Sequence, residues 1–153
     1  MYRHVLVPVD GTKLSTDTAA QAVSLSAEVK ARITFLYAAP DFSATSDGAL
    51  LIAVDPGKYA EQARGETDTI LAQVAAMAKA KGVEYETVSA VTDHPYVAII
   101  NTAKAKGCDL IFMSSHGQRG IGGLLRGSQT EKVLHHSPIA VCVASVESNL
   151  QKA

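Results

Sequence analysis

The stretch Leu110-Ile-Phe-Met113-Ser114-Ser115-His116-Gly117-Gln-Arg119-Gly120-Ile-Gly122-Gly123-Leu-Leu-Arg126-Gly127-Ser128-Gln129-Thr130-Glu131 decides how this chain is read. Its apolar start, Leu110 to Met113, has the continuous pattern of a strand buried on both faces. The run stops in small and polar residues, and five of the eleven glycines lie between Gly117 and Gly127. Ser128 to Glu131 then has the Ser-x-x-Glu form of a capping box that opens a helix. Strand, glycine-rich loop and helix start together bring bare backbone N–H groups near an anion, because the first turn of a helix holds unpaired donors at its positive dipole end.

Working outward, the same alternation recurs. His4-Val-Leu-Val-Pro-Val9 reads as a strand buried on both faces and stops at Asp10-Gly11. Ser15 is the expected cap of a first helix over 15–30, with Leu14, Ala19, Ala22, Leu25 and Val29 on its apolar stripe and Asp17 in its first turn. Arg32 to Ala38 is a second strand. The segment from Pro40 to Gly57 is punctuated by Asp, Pro and Gly around the uncharged Ala49 to Val54, which reads either as a short covering helix or as a partner surface. Lys58 to Lys81 predicts a long amphipathic helix, with Ile70, Val74, Met77 and Lys81 on one stripe and Gly82 just past its end. Val83 to Val91 is a third strand. Pro95 opens a helix with Val97, Ile100 and Ala103 inward, closed by Gly107. Asp109 to Met113 is the fourth strand, Ser128 to His136 a helix, and Ile139 to Ala144 the fifth strand.

Strands alternating with helices through short connections specify an α/β domain with a doubly wound, five-stranded, mainly parallel sheet and helices on both faces. With 153 residues, the chain suits one domain, expected over 1–147 with a flexible tail over 148–153. Its 47% hydrophobic and 19% charged content is ordinary for a globular protein. No apolar run nears the ~20 residues of a membrane-spanning helix. The N-terminus lacks the apolar core and cleavage site of a signal peptide, so a cytoplasmic location and no membrane contact are expected. A net charge of −1, no Trp and few aromatics argue against a nucleic-acid surface. Cys108 and Cys142 have no Cys-x-x-Cys context and are expected to be buried, reduced thiols.

Two common phosphate fingerprints fail on their spacing. Gly122 to Ser128 has a P-loop outline but lacks the lysine before the serine. Gly120-Ile-Gly122 begins like a dinucleotide loop, yet Leu125 stands at the third glycine position. The arrangement instead resembles the universal stress protein family, whose fourth strand is followed by Gly, two residues, Gly, nine residues, Gly and Ser or Thr. Gly117, Gly127 and Ser128 match that spacing. Val5 to Gly11, Leu36 to Ala38 and Ser137 to Val143 look like the family's first, second and last strand regions, so the resemblance covers nearly the whole chain.

The resemblance implies a Rossmann-like sheet of strand order 3-2-1-4-5. It also implies ATP in the crevice between the end of strand one and the glycine loop. By position, Pro8, Val9, Asp10 and Ala38 would face the base, and Gly117, Gly127, Ser128, Gln129 and Thr130 the ribose and phosphates. Met113, Ser114, His116, Arg119 and Arg126 complete the expected site. Asp10 is the one candidate to meet Mg through the nucleotide. Between residues 113 and 136 three cations face a single carboxylate, a net charge of +2, which favours an anion.

Two departures keep a second reading open. Ser114 replaces the motif's first glycine, and Asp93 stands where nucleotide-binding members often have glycine. The first reading is a stress-response regulator that binds ATP, with no catalytic group and at most slow hydrolysis. The second is a homodimeric interaction protein of the same fold whose nucleotide site has lapsed. In both, the resemblance implies a homodimer through Ile139 to Ala144, and further protein partners are unidentified. The plainer roles also stand: Ser128 and Glu131 as caps, Asp10 as a turn-former, Asp93 as a residue of the cap region before Pro95, and His135 and His136 as helix-end residues that favour the dipole.

Overall fold

A computed structural model of the chain describes residues 1–41, 53–114 and 127–145, with positions 127 and 128 described by their backbone alone. The elements follow in the order β1 (His4–Val9), α1 (Lys13–Val29), β2 (Arg32–Ala39), α2 (Pro56–Ala80), β3 (Tyr85–Val91), α3 (Pro95–Ala105), β4 (Leu110–Ser114), α4 (Gly127–His136) and β5 (Ala140–Ala144). The strands form one sheet of order β3-β2-β1-β4-β5, and every pairing in it is parallel. Helices α1 and α2 cover one face, α3 and α4 the other.

Period-two alternation divides each central strand between two cores. Val5, Val7, Val9, Ile33, Phe35, Tyr37, Leu110 and Phe112 meet Ala19, Ala22 and Val23 of α1 and Leu71, Val74 and Ala78 of α2. Leu6, Leu36, Ile111 and Met113 meet Ile99 and Ala103 of α3 and Val133 of α4. Phe35, Leu6 and Ile33 are fully enclosed, and each such side chain contributes about 1.5–3 kcal/mol by leaving water.

Helix ends show clear chemistry. Gly82 (φ +68°) and Gly107 (φ +71°) follow α2 and α3 in left-handed turns that glycine adopts without strain. The N–H groups of Val83 and Cys108 return to the carbonyls of Ala78 and Ala103, closing both helices in Schellman fashion.

Several sequence expectations need correction. Thr12, not Ser15, caps α1, its Oγ1 accepting from the Ser15 N–H at 3.2 Å. Ser15 is buried one turn inside. The buried stripe of α1 runs through Ser15, Thr18, Ala19, Ala22, Val23 and Ser26, with Leu25 and Val29 at its margin; small residues let this helix lie close to the sheet. Leu14 is only half-buried. On α2, which starts at Pro56 under an Asp55 cap, the stripe centres on Leu71, Val74 and Ala78, leaving Ile70 and Met77 at its edge and Lys81 exposed past its end. Ile99 replaces Val97 on the inner face of α3, where Val97 is exposed. Helix α4 already includes Gly127, so Ser128 lies in its first turn instead of at its cap. Cys108 is buried, but Cys142 on edge strand β5 is half-buried. Of the Ala49 to Val54 segment, Ala53 and Val54 are helical and exposed, and the rest lies outside the described residues.

Candidate functional site

The sheet order reverses between β1 and β4: the chain leaves β1 toward β2 and returns to β4 on the other side. Parallel sheets bind ligands outside the carboxyl ends of the strands at such a point, because successive connections diverge to opposite faces and leave a crevice. Pro8 deepens the effect here. The β1–β2 ladder continues to Val9↔Tyr37, whereas the β1–β4 ladder is limited to Val5↔Leu110 and Leu6↔Ile111. It stops two residues short of Pro8, which has no N–H to donate. Counting on from Leu6↔Ile111, Pro8 is level with Met113 and Val9 with Ser114.

The turn that leaves β1 is tightly organised. Asp10 accepts the Thr12 N–H at 2.9 Å and the Thr12 hydroxyl at 2.6 Å through Oδ1. Its own N–H donates to the Ser15 hydroxyl at 2.9 Å. The carboxylate therefore forms an Asx turn, the plainer of the roles read from sequence, and presents an acidic group at the crevice mouth. Gly11 has φ +83°, and a Cβ there would lie 3.0 Å from Ile70 Cδ1. The left-handed conformation is what requires glycine here, and a side chain would in addition press on Ile70 of α2.

On the other wall, α4 is pinned to the end of β4. The Thr130 hydroxyl, 3% exposed, donates to the Ser114 carbonyl at 2.9 Å. Gln129 Oε1 accepts the Tyr96 N–H at 3.1 Å, which satisfies a donor in the first turn of α3. That helix has His94 at its cap position with no side-chain cap bond, so Gln129 provides from another helix what the local sequence lacks. Asp93, expected in the cap region, is exposed one residue further out. Lys132 lies 5.4 Å above the Tyr96 ring and His136 5.6 Å from it, so the two helices close over one aromatic ring.

Of the residues singled out from sequence, Pro8, Val9, Ala38, Met113, Ser114 and Thr130 are buried at the carboxyl end of the sheet, with Asp10 and Gln129 half-buried beside them. Gly127 and Ser128 start α4 at the same end. His116, Gly117, Arg119 and Arg126 lie outside the described residues. Sequence reasoning missed Thr12 as the cap and Ser15 as the acceptor of the Asp10 N–H, although Asp10-Gly-Thr-x-x-Ser15 carried the signal. It also missed a cavity of about 350 Å³ beside the end of β2, lined by Tyr37, Ala39, Tyr59, Arg64, Ser89 and Val91 among others. Burial first, then the Glu66 and Asp10 carboxylates, raises the Tyr37 phenol above its usual range, which keeps it a neutral hydrogen-bonding group. Tyr59 and Arg64 are more than twenty residues from Tyr37 in the chain, and only the packing of α2 on β2 unites them.

Among the described residues no cluster of three or more His, Cys, Asp or Glu side chains could hold a metal ion. No described helix is long and apolar enough to cross a membrane.

Fold and site together define a doubly wound α/β protein whose sheet order reverses between β1 and β4, with α4 beginning at the carboxyl end of that switch point. The chain belongs to the universal stress protein family, whose model matches residues 1–145. Universal stress protein YxiE of Bacillus subtilis (strain 168) is 30% identical over 147 residues, covering 94% of this chain and 99% of the relative. A universal stress protein solved in complex with cAMP superposes with a TM-score of 0.68 at 26% identity, covering 94% of this chain and 97% of that one. The structure of hypothetical protein MJ0577 superposes with a TM-score of 0.73 at 21% identity, covering 97% and 99%, a likeness that speaks to the fold.

Proposed function

We propose that the chain binds an adenine nucleotide, ATP with Mg in the first instance, in the crevice between the end of β1 and the start of α4, and acts as a nucleotide-dependent regulator in the cytoplasm. The observation that carries this reading is the end of the β1–β4 ladder at Leu6↔Ile111, on the side of the sheet where α4 begins. The relative in complex with cAMP supports the adenine nucleotide class. In this reading the base lies against Pro8, Val9 and Ala38. Met113, Ser114, His116, Gly117, Arg119, Arg126, Gly127 and Ser128 line the path of the sugar and phosphates. Gln129 and Thr130 hold α4 in place through bonds to Tyr96 and Ser114, while the N-terminal dipole of α4 favours the anion. Asp10 keeps a carboxylate near the mouth for Mg. Among the described residues there is no evident nucleophile or placed general base for rapid chemistry.

Calorimetric titration with ATP, with and without Mg, and with AMP and cAMP separates the readings. Saturable heat with any of them is expected. No heat up to millimolar nucleotide from folded protein overturns the proposal and favours the interaction protein with a lapsed site.

Strand β5 is a sheet edge, and its residues are no more than half-buried. An apolar edge left bare invites pairing with another chain. We assign the homodimer contact to this edge; sedimentation at micromolar concentration should give the dimer mass, and a monomer refutes it.

A further inference from the structure

We propose that the basic cavity at the opposite, N-terminal end of the sheet is a second anion site, one that takes a small phosphoryl anion such as pyrophosphate. This cavity, of about 330 Å³, is lined by Arg3, Ser26, Lys30, Arg32, Lys81 and Glu84 among others. Its shape follows from the topology. β1 and β2 both begin here, joined by the bond from the Arg32 N–H to the Arg3 carbonyl at 3.0 Å. Helices α1 and α2, which cover the same face, both end here, at Lys30 and Lys81.

Four cations and one carboxylate thus share one concavity. Two helix C-termini also point at it, each worth roughly −0.5 of a charge, and together they offset only about one of the three excess positive charges. Among the described residues the ion pairs are Lys13 with Asp17 and Lys106 with Glu86; none of the four cavity cations belongs to either. All four cations are exposed, so each presents its charge to an anion in solution.

Two further observations point the same way. Lys30 has φ +59° and is the non-glycine residue with positive φ among the described residues. The two other Schellman-type ends, after α2 and α3, use Gly82 and Gly107. A lysine held in that conformation at α1 gives up the easier backbone for a cation aimed from the rim, and such outliers gather at ligand sites. Ser26 in the cavity wall is fully buried, and its Oγ has no hydrogen-bond partner, although a buried hydroxyl ordinarily finds one. Arginine and lysine make charge-assisted bonds to phosphate oxygens, and two arginines offer the forked geometry such groups suit.

The test uses the full chain, isotopically labelled, in an amide-resolved NMR titration with sodium pyrophosphate. Saturable shifts of the amides of residues 26–32 and 81–84 are expected, with a Kd of millimolar or tighter. The double variant K30G/K81Q should bind about tenfold or more weakly, since each lost cation removes a charge-assisted contact. K30G places glycine where glycine is favoured, so the fold is retained; R32Q, which removes one cation, provides a second variant expected to bind more weakly than wild type by a smaller factor than the double variant. Titration with 5′-AMP separates a free phosphoryl anion from a nucleotide: stronger shifts of these amides with AMP than with pyrophosphate overturn the assignment. Shifts confined to residues 113–131, or equal to those from sodium chloride at the same ionic strength, also overturn it. Because the readout lies at the far end of the sheet from the β1–β4 crevice, its failure and that of the nucleotide proposal are told apart directly.

Discussion

Replacing Thr130 with valine tests how the two walls of the crevice are held together. The side chain is 3% exposed, and its hydroxyl donates to the Ser114 carbonyl at 2.9 Å. Valine keeps the branched shape and removes only the donor. Loss of one buried hydrogen bond costs about 0.5–1.5 kcal/mol, and at a site this enclosed the upper end of that range applies, about 1.5 kcal/mol. For a domain of this size each kcal/mol moves Tm by ~2–4 °C, so T130V should melt roughly 3–6 °C lower. In urea its midpoint should fall with the slope unchanged, the sign of lost stability without a changed unfolded state. T130S retains the hydroxyl and loses a methyl group. If the bond matters more than the methyl, T130S lies nearer wild type than T130V does. Equal stability of T130V and wild type, or a larger loss in T130S, would refute the reasoning. Because the bond also sets where α4 begins relative to β4, T130V should weaken adenine nucleotide binding in the same calorimetric assay.

Two other outcomes follow from the geometry. G11A places a Cβ on a backbone with φ +83° and 3.0 Å from Ile70 Cδ1; the left-handed conformation alone costs about 1–2 kcal/mol. A Tm lowered by roughly 2–8 °C is expected, and an unchanged or raised Tm counts against it. The second concerns pH. Burial first, and the Arg32 guanidinium after it, hold the His4 imidazole below its ordinary 6.5. The unfolded chain then binds more protons than the folded one just below pH 6.5, so this contribution to stability is complete above that pH and is lost as pH falls toward the folded value. Urea unfolding at pH 7.5 and 5.5 should show wild type weaker at the lower pH, and H4Q, whose amide can still donate to Thr34, should show a smaller fall. Equal falls in the two proteins would rule out His4 as the cause.

Much of this protein can be read locally. The runs His4 to Val9 and Leu110 to Met113 are apolar at every step because their strands are covered on both faces, and that covering is the mark of a parallel sheet. Asp10-Gly11, Gly82 and Gly107 name their own turns, since the left-handed backbone they adopt disfavours a side chain. Stripe positions on the helices were less legible: Ser15, Thr18 and Ser26 face the core of α1 because close approach to the sheet favours small side chains over apolar ones, and no periodicity of hydrophobic residues reports that.

By itself the sequence determined the alternation of strands and helices, the glycine-rich connection before α4 and the resemblance on which the family rests, because each is written in neighbouring residues. Tertiary structure alone decided which groups meet. The ladder between β1 and β4 stops short of Pro8, Gln129 caps a helix thirty-three residues earlier, and Lys30, Arg32, Lys81 and Arg3 share one cavity. Such encounters depend on the order in which strands lie side by side, and a chain read residue by residue holds no record of distance through space.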